Sequence, residues 1–71
     1  RQGYRDVILY GPADEVLQIL KIALAQQEIE YRFYRRGEEP PSGQFLFLVW
    51  TQEDEEKLAP DHHVVNILKV L

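Results

Sequence analysis

The sequence predicts an α+β fold: a small two-layer βαββα domain, or βαβββ, with one mixed sheet packed on an amphipathic helix. Three observations lead there. Residues 11–27 repeat apolar side chains at helical spacing, and residues 7–10, 29–34 and 44–50 carry the runs or alternations of strands. No internal repeat or low-complexity tract interrupts the 71 residues, a length that makes one domain, residues 1–71.

In chain order, Arg5 to Tyr10 holds the apolar run Val7-Ile8-Leu9-Tyr10, stopped by Gly11-Pro12. Both alternating sets are apolar, which predicts an interior strand covered at least partly on both faces. The helix follows, with Ala13, Val16, Leu17, Leu20, Ala23 and Leu24 on one stripe and Asp14, Gln18 and Lys21 opposite. Pro12 suits the first helical position, and Asp14 and Glu15 place carboxylates at the positive end of the helix dipole. Ile29, Tyr31 and Phe33 then alternate with Glu30, Arg32 and Tyr34, the period of a half-buried strand near an edge. Residues 37–43, with two Pro and two Gly, read as a loop closing a long hairpin. Gln44 to Trp50 has bulky apolar residues in both alternating sets and belongs at the centre of the sheet. Gln52 to Lys57 reads as a solvated acidic turn capped by Thr51. Residues 60–71 gather Val64, Ile67, Leu68 and Leu71 on one helical face, while their β-branched residues also suit a strand; helix is the preferred reading.

Composition narrows the function classes. The absence of cysteine removes disulfides, thiolate metal sites and thiol chemistry, and points to a reducing compartment such as the cytoplasm. No apolar run reaches the roughly 18 residues of a membrane span. The first residue is Arg1 rather than Met, so the chain reads as a domain excised or processed from a longer protein. Residues 1–36 hold six Arg/Lys against five Asp/Glu, and residues 37–71 hold two against seven, so the net charge of −4 is polarised. That polarity predicts one basic and one acidic surface and argues mildly against a general nucleic-acid binder.

The strand Val7–Tyr10, the Gly/Pro turn, the helix and Ile29-Glu30-Tyr31 resemble the first half of glutaredoxin-like domains over about residues 7–34. That family carries its chemistry on a cysteine pair at the helix start. Here the region reads Pro12-Ala13-Asp14-Glu15-Val16, so the resemblance implies no redox activity. Ser42, the only serine, lies between Pro41 and Gly43 and reads as a turn residue. Neighbouring His62 and His63 point different ways on a helix or strand and do not share an ion, and Glu53-Asp54-Glu55-Glu56 lacks the spaced oxygen ligands of a calcium loop. No catalytic residue, metal site or cofactor site is therefore assigned.

What remains is surface. Arg32, Tyr34, Arg35 and Arg36 form the best candidate contact set, because guanidinium and aromatic groups recur at protein interfaces and also bind phosphates and bases. On the helix, Ile22 points away from the apolar stripe and Ile19 lies at its margin; with Gln26 they form a second candidate patch. The expected function is a non-enzymatic protein–protein interaction module of a larger protein or complex, with a protein partner or self-association. The alternative is an RNA- or DNA-binding domain using the Arg/Tyr-rich strand.

Overall fold

The structure, a computed structural model, describes residues 6–70. The expectations for Arg5 at the start of the first strand and for Leu71 on the last apolar face lie outside the described residues. The elements run β1 (Val7–Gly11), α1 (Glu15–Gln26), β2 (Tyr31–Arg35), β3 (Leu46–Val49), α2 (Gln52–Leu58), β4 (His63–Asn66) and α3 (Ile67–Val70). They form a small domain of helices around one four-stranded sheet.

The sheet is ordered β2-β1-β3-β4, and every neighbouring pair is parallel. This corrects the mixed sheet and the hairpin expected from the loop. Strands β2 and β3 do not pair; they flank β1, with Ile8 opposite both Arg32 and Phe47. The reason lies in β1, where Val7, Ile8, Leu9 and Tyr10 are all buried, so it needs a neighbour on each edge and a cover on each face. The return from the end of β2 to the start of β3 uses residues 36–45 without a helix. A five-residue strand is about 17 Å long, and ten residues can span up to about 33 Å, so the segment has chain to spare.

The cover is also two-sided, correcting the two-layer expectation. On one face Ile8, Tyr10, Phe47 and Val49 pack with Leu58 of α2; on the other, Leu9 and Trp50 pack with Leu17 and Leu20 of α1. Helix α1 starts after Asp14, whose carboxylate accepts the Leu17 N–H at 3.2 Å, so Pro12 precedes the cap and Ala13 and Ala23 stay exposed. Its end carries paired reverse bonds, Glu28 N–H to Ala25 C=O and Ile29 N–H to Leu24 C=O, with Glu28 held at φ 58°. The C-terminal segment is neither one helix nor one strand. Val64 and Val65 extend the sheet beside β3, and then the Asn66 side-chain oxygen accepts the Leu68 N–H at 3.1 Å and starts α3.

Candidate functional site

In parallel sheets with helices on both faces, the crevice beyond the carboxyl ends of the strands, where successive connections diverge, is the usual place for a ligand. Here that place lies between β1 and β3, and the chain's own side chains fill it. The Trp50 indole lies against Gly11 so closely that a Cβ added there would stand 2.7 Å from a ring carbon, and the indole N–H donates to Asp14 Oδ1 at 3.3 Å. Arg36, one residue beyond β2, donates its backbone N–H to the Gly11 carbonyl at 2.8 Å, which swings its side chain towards the start of α2.

There Arg36 forms a forked pair with Asp54: Nε donates to Oδ1 and Nη2 to Oδ2, both at 3.0 Å. Nη2 also reaches Thr51 Oγ1 at 3.0 Å, and Glu53 lies 3.4 Å from Nη1. Thr51 completes the knot, accepting the Asp54 N–H as the helix cap and donating its hydroxyl to Oδ2 at 2.6 Å. Asp54 is fully buried, so the acidic segment is solvated only at Glu53, Glu56 and their exposed neighbours, and the expectation of a wholly solvated turn is corrected. The hydrogen bonds to Asp54 push the Arg36 guanidinium further up from its already high pKa.

Two smaller polar groups stand nearby. The hydroxyl of buried Tyr10 accepts from the Gly37 N–H at 3.2 Å and from Lys57 Nζ at 3.0 Å, and the second bond raises the lysine's pKa. Glu55 accepts from Asn66 Nδ2 at 3.1 Å and pairs with Lys69 at 3.1 Å; those bonds, the Asn66 one first, hold its carboxyl below the usual value.

The four candidates on and after β2 do not form one surface. Arg32 and Tyr34 share the face of Ile8 and Tyr10, where Tyr34 packs half-buried against the core and Arg32 lies exposed over the Phe45 ring at 5.8 Å. Arg35 is exposed on the other face, and Arg36 is held by Asp54. Ile19 and Ile22, by contrast, are exposed as the helix pattern requires, at 64% and 61%, with Gln26 one turn on. At the opposite end of the sheet an open groove of about 500 Å³ is lined by Gln44, Phe45, Pro60, Asp61, His62 and His63. His62 packs against buried Phe47 with centroids 4.5 Å apart and the rings tilted by 48°, while His63 points to the other face of β4. Among the described residues no three His, Asp or Glu side chains gather as metal ligands, and no helix is long and apolar enough to cross a membrane.

The residues that sequence reasoning missed are Tyr10, Gly11, Trp50, Asp54 and Lys57, whose partners lie between 18 and 47 positions away. The one local signal was Thr51-Gln52-Glu53-Asp54, a capping pattern that marks a helix start without showing which carboxylate turns inward. No family model, curated protein or solved structure matches this chain.

Proposed function

We propose that this chain is a non-enzymatic protein-interaction module of the cytoplasm, acting within a larger protein or complex, and that Ile19, Ile22 and Gln26 belong to its contact surface. The observation that carries the reading is the outward apolar row on α1. Leu17 and Leu20 already satisfy the sheet, yet Ile19 and Ile22, three residues apart, hold aliphatic side chains in water. The filled crevice between β1 and β3 supports the same reading, because a ligand there would first have to displace Trp50 and Arg36.

Ile22→Glu tests it. The substitution sits on an exposed helix position, leaves the fold intact by circular dichroism, and weakens binding to a protein partner or a second copy by about 1–3 kcal/mol, the contribution of a buried aliphatic side chain. Sedimentation of wild type and variant at matched concentrations reads self-association directly. Unchanged self-association together with unchanged partner binding refutes the proposal. The nucleic-acid alternative has less support, since Arg36 is neutralised and Arg32 and Arg35 face opposite ways. It requires binding to single-stranded RNA or DNA that falls steeply with salt.

A further inference from the structure

We propose that the open edge of β2 is a docking site for an extended, acidic peptide segment, which adds to the sheet as a fifth strand. This surface is separate from the α1 patch and stands or falls without it.

Among the described residues strand β2 is one of the two edge strands of the sheet, β4 being the other. Because Arg36 sends its N–H inward to Gly11, backbone alternation turns Tyr34 and Arg32 inward too and directs the amides of Tyr31, Phe33 and Arg35 at the free edge. The third is closed by the chain itself: the Arg35 N–H donates at 2.9 Å to Glu38 Oε1 and the Arg35 carbonyl accepts the Glu38 N–H at 2.9 Å, so Tyr31 and Phe33 are the positions left for a partner strand, and the Glu38 carboxylate shows that this edge takes an acidic acceptor.

The side chains flanking the edge select the partner. Arg32 is exposed on one face with its guanidinium 5.8 Å from the Phe45 ring, Arg35 is exposed on the other face, and Lys21 of α1 reaches to 5.9 Å from the Phe33 ring. Residues 31–35 contain no carboxylate. Arginines along an edge discourage pairing with a neutral or like-charged strand, and a second copy of β2 would bring arginines against arginines. They favour, at Tyr31 and Phe33, a strand bearing Asp or Glu, whose backbone supplies the hydrogen bonds and whose carboxylates meet Arg32 and Arg35.

The experiment titrates the whole chain with a short synthetic peptide in which Glu alternates with Val, with a Lys-for-Glu peptide as control, following backbone amide shifts and hydrogen exchange. The expected result is slowed exchange at Tyr31 and Phe33, binding of the acidic peptide only, and a loss of at least about tenfold in affinity for Arg32→Glu/Arg35→Glu. Both positions are exposed, so that variant folds, and circular dichroism verifies it. Ile22→Glu binds the peptide as wild type does, which separates this edge from α1. No binding, shifts centred away from β2, or tighter binding of a single-stranded oligonucleotide than of the peptide overturns the proposal.

Discussion

Removing the Arg36 side chain tests whether the filled crevice holds the fold together. In Arg36→Ala the buried Asp54 carboxylate loses both forked bonds, and Thr51 loses the bond from Nη2. Breaking a fully buried ion pair from one side costs about 3–5 kcal/mol. The Arg36 side chain is 35% exposed, so water enters the vacated space and Thr51 still donates to Oδ2; the expected loss is about 2–3 kcal/mol. A domain of this length has a total stability of roughly 4–10 kcal/mol, so that is a large fraction of the whole. Trp50 is buried against Gly11 and gives the fluorescence signal for a urea titration. With a slope near 1 kcal/mol per molar urea, the midpoint falls by about 2–3 M.

A double-mutant cycle separates the pair from general damage to packing. If Arg36 and Asp54 act as one unit, Arg36→Ala/Asp54→Ala loses less stability than the two single losses added, with a coupling of about 1–3 kcal/mol. The coupling persists at high salt, since the Asp54 arm is shielded, while the contribution of exposed Glu53 is screened away. An Arg36→Ala midpoint indistinguishable from wild type, or additive single effects, refutes the reasoning.

Gly11→Ala drives a methyl into the Trp50 ring at 2.7 Å, which costs about 1–3 kcal/mol and shifts the tryptophan emission as the indole is displaced; unchanged emission and stability count against the packing described. Glu28→Gly relieves a non-glycine residue at φ 58° in the reverse-turn end of α1 and raises stability by about 0.5–1 kcal/mol in thermal unfolding, against a loss if the position is not left-handed in solution. Glu55 has its pKa lowered by Asn66 and Lys69, so its contribution to stability is present above the ordinary glutamate value and is lost as the pH falls through the lowered folded value. Asn66→Ala therefore narrows the gap in stability between neutral and acid solution, and parallel pH–stability curves for the two proteins rule that linkage out.

Legibility in the sequence followed the range of the interactions. Where periodicity is local, the reading held: α1 has its Leu17 and Leu20 face inward, Thr51 caps α2, and Arg32 and Tyr34 share one face of β2. Strand direction is not local. A hairpin and a parallel return look alike in residues 37–43, because Pro and Gly mark an irregular segment without saying whether it turns the chain through a tight reversal or carries it back along the sheet. The doubled apolar pattern of Val7 to Tyr10 was the better guide, since a strand buried on both faces is the pattern of a parallel sheet covered on both sides.

The site was harder to read for the same reason. Asp54 sits in a run of four acids that periodicity treats alike, and only the approach of Arg36 from another element distinguishes it from Glu53 and Glu56. Arg36 in turn stands beside Arg35 and shares its chemistry, but strand alternation sends one backbone N–H to Gly11 and the other to Glu38. That single alternation divides the basic run into a structural half and a free half. Arg36 closes the crevice where a ligand would ordinarily sit, while Arg32 and Arg35 stay exposed on opposite faces of an edge strand.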